Sequence, residues 1–371
     1  MESLCPIFTH VHVEFTFEKH TTNTFHMKHI YNSFSAANTL QSATKALGTA
    51  LSSKNFTLLF LSFFLLVSGE GYGETFTSRT SGSWHIASTW TKSSTGGVDT
   101  PGPNDEVVIL HNHKITVNAT INAVCKKLEL RAINGNTGSQ SAITIENTGT
   151  LTVDEITFNT THQNFGATVI NNGYLKFKSF SYGNVTKSDH VFLTNNQTNS
   201  TVEYIGTNQS VLPVPYRNLT LSGSGNKTVS AGLNVSGDLT INSGSTFIAG
   251  NYTHTISGNF NNNGNFNTDN STIVMNGADK SILSSGVAST FSNLTLTGGN
   301  KSLLSDINVA GTLVLTSAIL NTTKEFNVSL LPAASLGFNE TATQHIIGQV
   351  VPSPRTLSSG SIQEFGNIGI S

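Results

Sequence analysis

Between Ser200 and Leu315 the chain states one pattern twice, and a chain that repeats itself at a fixed interval stacks units instead of wrapping one core. Ser200-Thr201-Val202-Glu203-Tyr204, running on to Leu212, returns as Ser271-Thr272-Ile273-Val274-Met275, running on to Leu283. Asn218-Leu219-Thr220-Leu221 returns as Asn293-Leu294-Thr295-Leu296. Asn234-Val235-Ser236-Gly237-Asp238-Leu239-Thr240-Ile241 returns as Asn308-Val309-Ala310-Gly311-Thr312-Leu313-Val314-Leu315. Offsets of 71 to 75 residues exceed most single solenoid units, so each copy is expected to hold several coils: repeat 1 over 200–270 and repeat 2 over 271–345.

The residue types point the same way. Good helix formers are scarce, β-branched residues plentiful, and Asn, Thr, Ser and Gly fill much of the chain, which predicts an all-β fold. Short strands open on Gly, one variable residue, then Leu or Phe: Gly149-Thr150-Leu151, Gly173-Tyr174-Leu175, Gly237-Asp238-Leu239, Gly264-Asn265-Phe266 and Gly311-Thr312-Leu313. Asn-rich corners precede several, as in Asn171-Asn172-Gly173 and Asn261-Asn262-Asn263-Gly264, where Gly and Asn are expected to supply left-handed backbone. Launches about 20 to 25 residues apart suit the coils of a right-handed parallel β-helix. Tandem β-sandwiches are the alternative, because Asn-Gly between alternating strands is also a hairpin signal.

The single long apolar run, Phe56 to Val67, is short for a membrane span and the right length for a signal-peptide core, with cleavage expected before Glu74. That makes 56–73 a signal segment and leaves no stable membrane span after cleavage. It leaves 1–55 as a disordered leader or a wrongly chosen start, with Met27 the better initiator. Of the two cysteines, Cys5 falls in that leader, so the exported body holds Cys125 alone and no internal disulfide. A formal charge of −2 and 11% charged residues offer no basic patch, which excludes nucleic acid as a partner. The segment 346–371 reads as the start of a truncated C-terminal region, since a solenoid needs a polar cap and none follows.

One segment, 74–199, has its own character. Gly82-Ser83-Trp84 and Ser88-Thr89-Trp90 precede Pro101-Gly102-Pro103-Asn104-Asp105-Glu106-Val107-Val108-Ile109 and His113-Lys114-Ile115-Thr116-Val117. This pattern resembles the opening of large surface and secreted proteins of the Bacteroidetes and is similar to the G8 domain, in which a Trp pair and a Pro-rich turn precede the first coils of a β-helix. The resemblance implies export, often by the type IX route, and a role as an adhesin or matrix component.

Catalysis has few candidates. Glycoside cleavage needs two facing carboxylates, whereas Asp105-Glu106 belong to a turn, Asp154-Glu155 to a strand end, and Glu203, Asp238, Asp269 and Asp306 stand singly. Stacking could bring Asp238 and Asp306 near one another. His111-Asn112-His113 is expected to put two imidazoles on one side of a strand, too few for a zinc site. No catalytic residue, metal or cofactor is assigned. Trp84, Trp90, Tyr182, Tyr204 and Tyr216 are the candidates for stacking on sugar rings, with Trp84 and Trp90 expected to plug the open end of the first coil. Asn-x-Ser and Asn-x-Thr sequences such as Asn118-Ala119-Thr120 arise by chance in so Asn- and Thr-rich a chain. The expectation is an exported, non-enzymatic structural or adhesive protein meeting extracellular glycans or matrix, the alternative being a β-helical lyase, glycosidase or glycan-binding module.

Overall fold

The computed structural model describes residues 17–19, 25–27, 73–132, 140–160, 166–185, 191–194 and 199–352. The chain divides into two compact units, Met1–Gly71 and Tyr72–Ser371. In the first, Phe17–Lys19 pairs antiparallel with Phe25–Met27. The run Phe56 to Val67 and the tail 353–371 lie outside the described residues. All that follows concerns the second unit.

Fourteen strands of that unit join in one sheet, and every neighbouring pair is parallel except Thr75–Ser78 with Trp90–Lys92. Parallel neighbours need a crossover between them, and here each crossover contributes strands to a further parallel sheet, which makes a β-helix and excludes tandem antiparallel sandwiches. Coils are regular in the middle of the stack: Leu219 to Leu239, Leu239 to Phe260, Phe260 to Ile282 and Lys280 to Lys301 advance 20, 21, 22 and 21 residues. Period-2 burial explains why these segments are strands. In Asn218–Leu221, Leu219 and Leu221 are fully buried while Asn218 and Thr220 face out. Each such side chain removed from water contributes about 1.5 to 3 kcal/mol.

Cross-section changes along the stack. The coils before 199 have the long sheet on one side and a five-stranded sheet on the other: Gly82–Ser83, Lys114–Val117, Ser141–Ile145, Ala167–Asn171 and Val191–Thr194. Their long strands, Asn122–Ala132, Thr150–Thr160 and Tyr174–Val185, turn a bend where two consecutive residues face out: Lys126-Lys127, Asp154-Glu155 and Lys178-Ser179. Asp154-Glu155 therefore sits inside a strand, not at its end. From Asn234 the coil has three sides. A six-stranded sheet (Asn234–Val235, Thr253–Ile256, Thr272–Met275, Asn293–Thr297, Thr312–Thr316, Ser335–Leu336) supplies the new side. The remaining side is made by Gln209–Val211, Gly225–Val229, Ser245–Ile248 and Asn265–Asn267. It is continued by Ser289–Phe291, Ile307–Val309, Asn327–Leu330 and Gln349–Pro352, with Phe266 packed on Phe291 at 5.6 Å across the seam.

The sequence echo does not repeat whole coils. Thr201–Tyr204 lies in the fourteen-stranded sheet, while its echo Thr272–Met275 lies in the six-stranded one. Asn218–Leu221 and its echo in Asn293–Thr297 are related in the same way, and Gln209–Val211 echoes in Lys280–Ser284 of the long sheet. The echo thus falls one face short of four coils, and each copy is turned by one side of the stack. Its hydrogen bonds survive the turn. Asn218 Oδ1 accepts the Asp238 N–H at 3.0 Å, and the echo residue Asn293 accepts the N–H of Thr312, the echo of Asp238, also at 3.0 Å.

The strand-opening glycines have a different cause from the one expected. Gly149, Gly173, Gly237, Gly264 and Gly311 are absent from the positive-φ set. What they supply is room: a Cβ on Gly264 would lie 2.5 Å from the carbonyl oxygens of Asn242 and Ser245, and one on Gly311 2.6 Å from that of Ser292. The Asn corners do not supply left-handed backbone either, since Asn171, Asn172, Asn261, Asn262 and Asn263 are also absent from the positive-φ set, and they form turns by side-chain hydrogen bonds instead. Buried Asn171 and Asn262 each accept the N–H of the Gly two residues on, at 3.2 and 3.1 Å, and each donates to a neighbouring coil.

Candidate functional site

Outward side chains of the fourteen-stranded sheet carry most of the charge between Glu106 and Glu203. In register, Glu106, Lys127 and Glu155 alternate in sign, and so do Lys176 and Glu203. Lys176 meets Glu203 at 3.1 Å and Lys178 meets Asp154 at 2.7 Å. Arg131 binds Glu129 through both carboxylate oxygens, at 2.6 and 3.0 Å, and that bond holds the Glu129 carboxyl below its usual range. Opposite charges on facing rungs steady the stack, each pair contributing roughly 0.2 to 1 kcal/mol.

Three further carboxylates brace backbone. Asp105 accepts N–H bonds from Glu74 at 2.8 Å and Gly102 at 2.7 Å. Asp238 accepts from Asn259 at 2.7 Å, and Asp306 from Asn327 at 2.7 Å. Asp238 precedes a strand of the long sheet and Asp306 a strand of another sheet, so stacking separates them onto different corners. Asp269 occupies a turn at φ +42°.

His111-Asn112-His113 is a turn, not a strand, because Asn112 takes the left-handed conformation at φ +65°. Ser78 Oγ accepts the Leu110 N–H at 2.9 Å and shares a hydrogen bond with His113 Nδ1 at 2.7 Å. A hydroxyl only 1% exposed reaches no substrate, so this Ser-His contact ties the turn down. Burial holds His113 below the ordinary histidine pKa. Cys125 is buried and its thiol is pushed far up by desolvation, which keeps it unreactive. Among the described residues no group of three or more His, Cys, Asp or Glu could hold a metal ion. No helix among them is long and apolar enough to cross a membrane.

Four of the five aromatic candidates are interior. Trp84 and Trp90 meet edge to face at 5.4 Å, and Trp90 Nε1 donates to the Trp84 carbonyl at 2.7 Å. Tyr216 donates to the Leu212 carbonyl at 2.7 Å, and Tyr204 therefore donates to Tyr216 across 2.8 Å, while Tyr204 accepts the Leu212 N–H at 2.9 Å. The two tyrosines pin the Leu212 to Tyr216 loop. Rings at most 6% exposed present no face to a sugar, so stacking does not attach to Trp84, Trp90, Tyr204 or Tyr216. Tyr182 pairs in register with Phe158, and its side chain lies outside the described residues. Beside Trp90 a cleft of about 280 Å³ is lined by Phe76, Ala87, Ser88, Trp90, Lys92 and Asp99.

Three polar groups inside the stack escaped sequence reasoning. Lys227 is fully buried and donates to the carbonyls of Gly206, Thr207 and Ser224 at 2.6 to 2.9 Å. Lys301, equally buried, donates to Thr297 and Gly299 at 2.8 and 2.9 Å. They echo one another: Gly225-Asn226-Lys227 returns as Gly299-Asn300-Lys301, a signal present in the sequence. Each ammonium collects the carbonyls of a Gly-containing turn, and burial lowers the pKa of both. His254, fully buried, packs on Phe247 at 5.5 Å. Its Nδ1 accepts the Leu233 N–H at 3.1 Å, which places the proton on Nε2, and Nε2 donates to the Ala249 carbonyl at 2.9 Å.

Comparison of the chain with protein-family models, with curated proteins and with solved structures gives no match.

Proposed function

We propose that the chain is an exported, cell-surface or secreted structural or adhesive repeat protein that offers a rigid β-helical face to extracellular glycans or matrix. The observation that carries this reading is the fourteen-stranded sheet, which runs unbroken through the stack and fixes its outward side chains in columns. The signal-like run at 56–73 and the G8-like pattern of 81–117 support export. A second reading, a β-helical carbohydrate-active enzyme or glycan-binding module, draws on the carboxylates Glu106, Glu129, Glu155 and Glu203 gathered on one face of the N-terminal coils. The full chain is to be screened on a broad glycan array with reducing-sugar release measured in parallel. Binding without release is expected. Release overturns the adhesive reading in favour of the enzyme, and silence in both assays removes glycans as the partner.

A further inference from the structure

Asp105 is the only buried acid among the described residues, at 9% exposed. Its two oxygens accept backbone N–H groups, Oδ1 from Glu74 at 2.8 Å and Oδ2 from Gly102 at 2.7 Å. No Lys, Arg or His among the described residues forms an ion pair with it. A carboxylate taken out of water is ordinarily held by a cation. The ionisable groups around it supply none. Lys92 pairs with Asp99 at 2.8 Å, and Lys126 and Lys127 meet Asp105 through backbone, donating N–H to its carbonyl at 2.8 and 3.3 Å. Glu106, Cys125 and the Glu74 side chain bring no positive charge.

The nitrogen that donates to Asp105 is the one a cut would free. The sequence predicts removal of the signal segment before Glu74, with Gly71 and Gly73 as the small residues a signal peptidase reads. Glu74 is also where pairing with the stack begins: Glu106 donates to its carbonyl at 2.8 Å, and Thr75–Ser78 follows as a strand of the long sheet. Hydrolysis of the Gly73–Glu74 amide adds one water and breaks the C–N bond. Gly73 leaves as a carboxylate with the signal segment, and the Glu74 nitrogen becomes an amine that is protonated at neutral pH.

We propose that export processing turns the Glu74–Asp105 hydrogen bond into an ion pair, the new α-ammonium becoming the counter-charge of the buried Asp105 carboxylate and fastening the first coil. The proposal rests on the exported reading and adds the bond that processing creates. Two further observations support it. Glu74 Oε2 is buried without a hydrogen-bond partner, and an ammonium on the same residue brings two N–H donors that the amide lacks. In the uncleaved chain Gly73 is pressed against the turn that carries Asp105, where a Cβ would lie 1.7 Å from the Asn104 carbonyl oxygen. Cleavage removes Gly73 and that crowding with it.

The test starts from the full chain secreted through its own leader, with the first residue of the product read by intact mass and N-terminal sequencing. Glu74 is expected. The pKa of the new α-amine is then read from the pH dependence of its acylation, for the parent and for Asp105→Asn. The parent is expected to lie about one unit or more above the ordinary value of about 7.7 to 8.0, and Asp105→Asn to return toward it. An amine whose folded pKa is raised gives stability that is full below about pH 7.7 and lost as pH rises through the folded value. The urea midpoint of the processed parent is therefore expected to fall between about pH 8 and about pH 10, and that of Asp105→Asn to fall less. Should Asp105→Asn not fold, the uncleaved chain made in the cytosol, which keeps an amide at Glu74, takes its place and is expected to fall less over the same range. A first residue other than Glu74, or an α-amine of ordinary pKa in the folded parent, overturns the proposal. A chain exported but cut elsewhere leaves the adhesive reading standing, so the two can fail separately.

Discussion

His254 shows how a single side chain makes the stack sensitive to acid. Both ring nitrogens are committed, Nδ1 as acceptor from Leu233 and Nε2–H as donor to Ala249. A second proton would set an N–H of the ring against the N–H of Leu233 in a fully buried site. Burial therefore lowers its pKa from the ordinary value, and that of His113 shifts in the same direction for the same reason. With folded pKa values below the unfolded one, the unfolded chain binds more protons in acid. The stabilisation is complete above about pH 6.5 and is lost as pH falls through the lowered values. The urea midpoint is expected to drop between about pH 7 and about pH 5, and to drop less steeply in His254→Gln. Equal slopes for the two proteins would remove His254 as the cause. At this scale the sequence was least legible. Lysine and histidine are ordinarily outward residues, and only the carbonyls gathered by a turn explain why Lys227, Lys301 and His254 turn inward.

The corner is the element that makes the coils stack. Gly opens the next strand because a neighbouring coil's carbonyls come too close for any side chain, while a preceding Asn closes the turn and ties it to the coil beyond. Gly264→Ala forces the carbonyls of Asn242 and Ser245 apart and is expected to cost about 1 to 3 kcal/mol, read as a lower denaturant midpoint. Gly96→Ala, whose new methyl meets nothing within 4 Å, is expected to stay within about 0.5 kcal/mol. A similar loss at both positions would show that backbone freedom, and not close approach, sets the need for Gly. Corner positions and strand starts were legible because Asn-x-Gly and Gly-x-Leu mark them locally. Their cause was not, since the atoms that crowd Gly264 belong to residues about 20 positions earlier. The long bent strands were missed for a related reason: two outward residues in succession, as at Asp154-Glu155, break the alternation by which a strand is recognised.

For the whole molecule, the echo made the stack legible but not its phase. A repeat of 71 to 75 residues looks like a whole number of coils, yet coils of about 21 residues place the second copy one side round. The six-stranded face was invisible for that reason, because residues that look equivalent in sequence face different ways in space. In-register stacking of parallel coils is the claim on which the columns and the charge ladder depend. Its most direct test is oxidation of cysteine pairs in the full chain after Cys5 and Cys125 are replaced by serine. Thr220 and Thr240 are outward partners on adjacent rungs, with strands about 4.8 Å apart, inside the range a disulfide spans. Thr220→Cys/Thr240→Cys is predicted to close under mild oxidation, while the echo pair Thr220→Cys/Thr295→Cys, on different sheets, stays reduced. Closure of the echo pair with the rung pair left open would contradict the stack.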